Sequence, residues 1–470
     1  MKCKIYISDE VFMRFEGLSD AHHRFLYDKL GLPVDGAFFT KQYKLGIWDG
    51  KQRFFDKQGR MPIRLFSLVE QQLAAWPYEY EFVDTRPPLN VISERVSENY
   101  FAHTAPHMQL RPYQINIVNS CLEHGSGLID ACTGAGKTLI CAALSSVLAA
   151  NHQRVLLIVP SDDLVQQTAE TFTEVGLEHG IYSGSHKNLR PMIVIATWQA
   201  LQYNPVIIEQ FQAVINDETH GLKENVLGNM MKTHGVKIPY RFGFTGSIPK
   251  NEVNRLHLQS VFGDILHSVT TDELIKAGYL SKLEIEPIEI QEDVNENFPD
   301  YTSEKAFLGK SSKRISFIAD LIINRQQMYG NTLVLVNSKD MGKKLQKLIK
   351  GSVFLHGENN TDERKEWYDQ FANRDDLIVI ATYGIASTGI SINRIFNLVC
   401  VDIGKSFTRV IQSIGRSLRK APDKEYAHVV DLHSSLTWGK KHYKLRVKYY
   451  KDARYPLLKL VKPNLKEYEL

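Results

Sequence analysis

Two series of short aliphatic runs, spaced by stretches of helical periodicity, constrain this chain more than any other feature. The first is GLIDAC, VLLIVP, MIVIA, AVIND and FGFTGS; the second, after a charged stretch near 281 to 310, is TLVLVNS, SVFLHG, LIVIAT, LVCVDI and AHVVDL. Apolar runs this short, alternating with helical patterns, predict parallel strands buried on both faces by crossover helices. The expected fold class is therefore α/β, with two tandem parallel-sheet domains over 105–275 and 276–470. A small N-terminal α/β (α+β) domain, 1–104, precedes them and closes in the linker-like stretch DTRPPLNVISERVSEN. Helix starts agree, since Ser161 after VLLIVP can cap DDLVQQTAETFTEV and Thr361 precedes DERKEWYDQF.

Composition narrows the class. With 470 residues, 43% hydrophobic and 23% charged, the chain can bury several cores and is not of disordered type. Its longest nearly apolar run, Leu139 to Ala150, falls short of the roughly 18 residues of a membrane span and predicts a buried helix. MKCKIYISDE has no apolar signal-peptide centre, and five cysteines without a C-x-x-C spacing fit a reducing cytoplasm. A net charge of +4 is too small to argue for nucleic acid by itself; local clustering of Lys and Arg decides that.

The stretch ACTGAGKT, 131–138, follows an apolar strand and opens an apolar helix, which is the setting of a phosphate loop, although Ala131 stands where the strict pattern has glycine. Backbone N–H groups of Thr133, Gly134, Ala135 and Gly136 can converge on phosphate oxygens, Lys137 can reach the β and γ phosphates, and Thr138 can ligate Mg2+. INDETH, 215–220, puts Asp217 at a strand end, where a carboxylate can hold the same ion through water, and places Glu218 beside it to deprotonate the attacking water. In QSIGRSLR, Gln412, Arg416 and Arg419 carry the pattern of a phosphate-contacting helix, because arginines at i and i+3 share a face and guanidinium suits phosphate.

Taken in order, LRPYQ (110–114), ACTGAGKT, VLLIVPSDDLVQQ, ATWQAL, DETH, TGS (245–247), LVLVNS, ATYGIASTGISI and QSIGRSLR resemble the motif series of the superfamily 2 helicases of DExH type. The resemblance implies two RecA-like domains that bind ATP with Mg2+ between them. Arg111 and Gln114 would then bind the adenine end, Gly389 would line the nucleotide, and Arg416 and Arg419 would act as arginine fingers. His220, Thr245 and Ser247 would couple ATP state to grip, with TGS standing where many relatives have SAT. Pro160, Ser161, Thr197, Trp198, Asn337, Ser338, Thr388 and Gly389 would track one strand's backbone, contacts that carry no sequence information.

The stretches LSDAHHRFLYDKLG and YKLGIWDGKQRFFDKQGRMP, with DETHG, are similar to helicases of T-even-like bacteriophages. That similarity implies an ATP-dependent 3′ to 5′ DNA helicase and translocase for Holliday junctions, stalled forks and R-loops, serving recombination, repair and replication. It further implies a monomer in the host bacterial cytoplasm, with single-strand-binding or recombination proteins as partners and no membrane. An RNA helicase of the same superfamily and the motor subunit of a restriction or remodelling assembly are the alternatives, since motor motifs read backbone. In 38–60, aromatics are interleaved with basics; if strands run there, the aromatics form a core while Lys44, Lys51 and Arg53 line a DNA-binding face. Near the C-terminus, Lys441, Lys444, Lys448 and Lys451 fall on one helical face and Tyr443, Val447 and Tyr450 on another, which suits a helix packed on the second sheet.

Overall fold

The computed structural model describes residues 1–468 apart from 91, 185, 220–223, 293, 295, 360, 388–393, 406–413, 416 and 417. Two compact units result: Met1–Ala131 with Gly136–Ser268, and Cys132–Ala135 with Val269–Leu470. Among the described residues no helix is long and apolar enough to cross a membrane.

The first unit holds two sheets. Its N-terminal sheet joins β1 (Lys2–Ile7), β2 (Phe12–Glu16), β5 (Arg60–Pro62) and β6 (Glu79–Asp84) in the order β5-β2-β1-β6, and β3 (Gly31–Pro33) pairs with β4 (Lys51–Arg53) beside it. Pairing is mixed, antiparallel for β1 with β2 and β2 with β5 but parallel for β1 with β6, so this part is α+β. The larger sheet contains β7 (Ser126–Ala131), β8 (Val155–Val159), β9 (Gly180–Tyr182), β10 (Ile193–Thr197), β11 (Ala213–Asn216), β12 (Tyr240–Thr245) and β13 (Ile265–Val269), ordered β13-β7-β12-β11-β8-β10-β9. Every pair from β7 to β9 is parallel, and β8, β10 and β11 are buried at each position, as continuous aliphatic runs require. Leu139 to Ala150 lies in the helix Lys137–Ala150, buried from Ile140 through Ser145.

The two sheets of this unit are joined through a shared core. Leu256, on the helix Glu252–Phe262, is buried in the same cluster as Ile5, Phe15, Phe55 and Met61. The Glu10 amide donates to the Val236 carbonyl at 2.8 Å, Tyr240 donates through its hydroxyl to the Asn90 carbonyl at 2.5 Å, and Arg64 pairs with Glu10 at 3.1 Å. His257 meets Phe54 edge to face at 5.1 Å, and burial with nearby Lys232 pulls its imidazole down to about 4.

The second unit is built on β14 (Lys282–Ile290), β15 (Thr332–Val336), β16 (Val353–Leu355), β17 (Ile378–Thr382), β18 (Asn397–Val401) and β19 (Tyr426–Ser434), all parallel, in the order β14-β19-β18-β15-β17-β16. The charged stretch near 281 is thus a strand: KLEIEPIEI alternates polar with apolar residues and is the edge of the sheet. Its free side is met by the segment near the C-terminus, where Leu457, Val461 and Asn464 bridge Ile285, Ile288 and Gln291. The helix Thr437–Asp452 packs on β19 with the four lysines exposed, and Tyr450 is buried as its spacing predicts. Arg446, unremarked in the sequence, is buried too: its guanidinium binds Asp431 at 2.8 and 2.6 Å, and Tyr450 donates to the same carboxylate at 2.7 Å.

The expectation for 38–60 needs correcting. Only Lys51–Arg53 and Arg60–Pro62 are extended; Ala37–Phe39 is a 3-10 turn and Lys41–Lys44 a short helix capped by Thr40. Phe54 and Phe55 join the core as expected, whereas Phe38, Phe39 and Tyr43 are exposed. The cause is local: Gly36, Gly46 and Gly50 adopt left-handed backbone and break the strand alternation on which the prediction depended.

Candidate nucleotide site and nucleic-acid interface

Register places the site. Thr197 lies opposite Val159, Asn216 opposite Ile158 and Thr245 opposite Asp130, so β7, β8, β10, β11 and β12 end at one edge and their following loops share it. The carboxyl edge of a parallel α/β sheet is where such folds bind ligands.

At the end of β7, Ala131 is fully buried as the last strand residue, so a small side chain suffices where the strict motif has glycine. Gly134 and Gly136 have φ of +88° and +74°, and Gly136 caps the helix that begins at Lys137. The φ of Gly136 favours glycine, and a Cβ there would come within 2.5 Å of the Gln114 side-chain nitrogen and displace it. Gln114 is buried on the helix Pro112–His124, and its Oε1 accepts the Arg111 amide at 2.8 Å. This puts Gln114 against the phosphate loop, while Arg111 meets Gln114 through its amide and its guanidinium lies 3.1 Å from the Tyr113 hydroxyl.

Lys137 Nζ lies 3.3 Å from the Ala131 carbonyl and 3.3 Å from a Glu218 oxygen. Asp217 is fixed by its amide donating to Ile158 at 2.9 Å, and its Oδ1 accepts the Glu218 amide at 2.9 Å. Glu218 has φ of +52°, a left-handed conformation costly for a side chain of its kind and concentrated at functional sites. Thr219, which the sequence reading passed over, donates through Oγ1 to the Phe244 carbonyl at 2.7 Å and so ties this acidic turn to the end of β12. There the Thr245 hydroxyl donates to the Ser247 carbonyl and accepts its amide, both at 3.1 Å. His220, the other expected coupling residue, lies outside the described residues.

Burial, followed by the adjacent Glu218 carboxylate, pushes the Asp217 carboxyl up, while Lys137 opposes the shift. A carboxyl raised on folding binds more protons in the native than in the unfolded chain, so its contribution to stability falls as pH rises from the ordinary carboxylate range. Asp217→Asn is accordingly expected to raise the thermal midpoint by a few degrees at pH 7 without metal, and the gain should vanish near pH 4. Scanning fluorimetry at both values checks this; an equal or lower midpoint at pH 7 would contradict it. The oxygen donors of Asp217 and Thr138 are of the hard type that Mg2+ prefers, and a divalent cation would offset the burial and the Glu218 repulsion that together raise Asp217.

Several residues expected to touch nucleic acid serve as helix caps. Ser161, Thr197 and Ser338 accept the amides of Leu164, Ala200 and Met341 at 3.4, 3.4 and 3.2 Å. Pro160 accepts from Gln199 at 3.2 Å, and Trp198 packs against the buried cluster of its sheet. Asn337 donates through its amide to the Tyr301 hydroxyl at 3.3 Å and to the Asp402 carbonyl. In the N-terminal region Lys44 and Lys51 are exposed, whereas Arg53 is held by Asp49 at 3.0 and 2.5 Å and lies over Tyr27. Thr388, Gly389, Gln412 and Arg416 are outside the described residues.

Arg419 is described and, contrary to the helical face its spacing predicts, lies in a β-bridge because the chain turns at Leu418; its backbone is clamped. It bridges Leu280, the neighbouring Leu418 carbonyl accepts the Ser281 amide at 2.8 Å, and Lys424 Nζ donates to the Arg419 carbonyl at 2.9 Å. Lys424 is buried, which with Arg419 pulls its ammonium down to about 7 against the opposing pull of Asp423. No sequence signal marks it, because its role arises only when the turn after Arg419 folds back. Between about 7 and the ordinary lysine value the unfolded chain binds more protons, so the stability contribution rises with pH there, by at most about 1.4 kcal/mol per pH unit. Lys424→Met should flatten that rise in denaturant titrations at pH 7 and 9.5; an unchanged slope would remove Lys424 as its source.

Residues 107–250 match the family described as "Type III restriction enzyme, res subunit" and residues 313–421 the "Helicase conserved C-terminal domain", together more than half of the chain. The ATP-dependent DNA helicase UvsW of Enterobacteria phage T4 is 27% identical, over 93% of this chain and 91% of its own length. The DNA 3′-5′ translocase XPB2 of Sulfurisphaera tokodaii is 23% identical over 68% of this chain and 80% of its own. A fragment of an HsdR subunit of a type I restriction enzyme from Vibrio vulnificus superposes with a TM-score of 0.59 at 17% identity, covering 80% of this chain and 73% of that one, a likeness of fold. With two RecA-like parallel sheets, the phosphate loop and both helicase regions in place, the chain belongs to the superfamily 2 helicases, as an ATP-hydrolysing member related to UvsW and to the XPB-type 3′-5′ translocases.

Proposed function

We propose that this helicase is a 3′ to 5′ DNA motor that remodels branched DNA: Holliday junctions, regressed forks and R-loops. The observation that carries the reading is the reach of the similarity to UvsW, which spans 93% of the chain and so takes in the N-terminal region as well as the motor; the match to XPB2 spans 68%. The proposed division of labour is an accessory DNA-binding part over 1–104, an ATP-binding part over 105–275, and a second motor part over 276–470 that supplies Gln412, Arg416 and Arg419.

In this reading Thr133 to Gly136 cradle the phosphates, Lys137 steadies the terminal phosphate, Gly389 lines the nucleotide and Arg111 with Gln114 holds the adenine end. Thr138 and Asp217 would hold Mg2+, which supplies charge neutralisation at the β and γ oxygens. Glu218 takes the proton of the attacking water, and its left-handed backbone fixes the direction from which it does so. Arg416 and Arg419 stabilise the charge that develops on the transferred phosphoryl, Arg419 from a backbone position held by Lys424. The Thr219 link to β12 is a direct covalent-and-hydrogen-bonded path from the acidic turn to Thr245 and Ser247, with His220 completing the coupling set. Backbone amides or hydroxyls at Ser161, Thr197, Asn337, Ser338 and Thr388 track the strand, with Pro160, which has no N–H to donate, shaping the turn before Ser161; Trp198 contributes mainly by packing. The protein works as a monomer in the host cytoplasm, alongside single-strand-binding or recombination proteins.

The test is ATPase stimulation and strand displacement on single-stranded DNA, forked DNA, four-way junctions, RNA–DNA hybrids and RNA, with strands labelled at opposite ends. Preference for forks and junctions with 3′ to 5′ travel is the expected result. Preference for RNA alone would replace the reading with an RNA helicase, and activity only in the presence of a second protein would replace it with an assembly subunit.

A further inference from the structure

Within ten residues of the N-terminal region, five large apolar side chains face solvent. Exposure runs from 42% at Tyr43 through 57% at Phe38 and 61% at Leu45 to 73% at Phe39 and Ile47. Exposed apolar side chains this close together in sequence on a folded domain mark an interaction surface.

These side chains are presented by a frame. Gly36, Gly46 and Gly50 turn the chain in left-handed conformations, and Ala37 is buried beneath the turn. Thr40 donates through its hydroxyl to the Ala37 carbonyl at 2.7 Å and caps the helix at Tyr43, while the Trp48 indole donates to the Lys51 carbonyl at 2.9 Å. The Tyr43 ring lies against Gly50, where a Cβ would come within 2.9 Å of it. On this support the Phe38 and Phe39 rings stand with centroids 4.1 Å apart and planes inclined by 39°. These turns and hydrogen bonds order the backbone that carries the two rings.

Charge selects the occupant. Lys41 and Lys44 are exposed on the same short stretch, and no Asp or Glu occurs between Gly36 and Trp48. The flanking carboxylates are engaged, Asp35 by the Asn251 amide at 2.6 Å and Asp49 by Arg53. A cationic, aromatic surface complements a nucleic-acid strand whose bases are unstacked. A continuous duplex hides its base faces, so only frayed or unpaired bases can stack on such rings.

We propose that Phe38 and Phe39 form a stacking platform for unpaired bases at a DNA branch point, with Lys41 and Lys44 binding the adjoining phosphates. The proposal rests on the branched-DNA reading above and adds to it the element that recognises the branch.

The test uses the full-length protein and a forked duplex carrying 2-aminopurine at its first unpaired position, with a blunt duplex of equal length for comparison. Wild type is expected to bind the fork more tightly than the blunt duplex and to change the probe's fluorescence. Phe38→Ala with Phe39→Ala should lose the fluorescence change and weaken fork binding by about tenfold or more, whereas Phe38→Trp with Phe39→Trp should retain both. Lys41→Ala with Lys44→Ala should reduce the slope of log affinity against log salt by about 2. If the alanine pair prefers forks as strongly as wild type, or if Phe38→Leu with Phe39→Leu performs as well as wild type, stacking is not the mechanism and the platform is withdrawn. If wild type itself shows no preference for forks over blunt duplex, the branched-DNA reading fails first and the platform with it.

Discussion

Glu218→Gln should bind ATP nearly as wild type does and hydrolyse it about 10²–10⁴-fold more slowly, an increase in barrier of about 3–5 kcal/mol. The amide preserves the side chain's length and, through its oxygen, a hydrogen-bond approach to Lys137, 3.3 Å away in the native chain, while removing the negative charge and with it the capacity to accept a proton. Asp217 still accepts the residue-218 amide, so the left-handed turn is retained and lost geometry cannot mimic lost chemistry. Single-turnover hydrolysis alongside nucleotide titration separates the two quantities. Turnover at the wild-type rate would strip Glu218 of its assigned role, and a parallel loss of binding would show that it orders the site instead.

Lys137→Ala should act on both stability and affinity. The ammonium is almost enclosed, 3.3 Å from the Ala131 carbonyl and from Glu218, so truncation leaves a poorly solvated carboxylate without its counter-charge, at a cost of about 1–3 kcal/mol. Loss of a preorganised cation at the terminal phosphate is expected to lower kcat/KM for ATP by about 10²–10³-fold. The pair Lys137→Ala with Glu218→Gln distinguishes the contributions: removing the orphaned charge should restore much of the stability and none of the turnover. A double variant as unstable as Lys137→Ala alone would mean that the lysine supports the loop by another route.

What could be read from the sequence follows from how local each cause is. Strands such as VLLIV and IVIAT are buried on both faces and therefore visible as unbroken aliphatic runs, and the phosphate loop is visible because its glycines and lysine are contiguous. KLEIEPIEI escaped notice because an edge strand keeps a charged face, and Gly180–Tyr182 because three residues carry no periodicity. The left-handed backbone of Glu218, the Thr219 tie to Phe244 and the grip of Lys424 on Arg419 depend on partners distant in sequence or on the turn's own geometry. The exposed phenylalanines were misread as core because hydrophobicity alone does not say which way a glycine-bounded turn points its side chains.

The Leu256 side chain, shared between the two sheets of the first unit, makes amputation a poor tool for this protein. Starting the polypeptide at residue 105 would leave Leu256 and His257 bare to water, together with the Val236 and Pro239 carbonyls that now accept hydrogen bonds from Glu10 and Arg64. A shortened motor would then carry a greasy scar prone to self-association, and any loss of activity would report that scar. The accessory region is better dissected one side chain at a time.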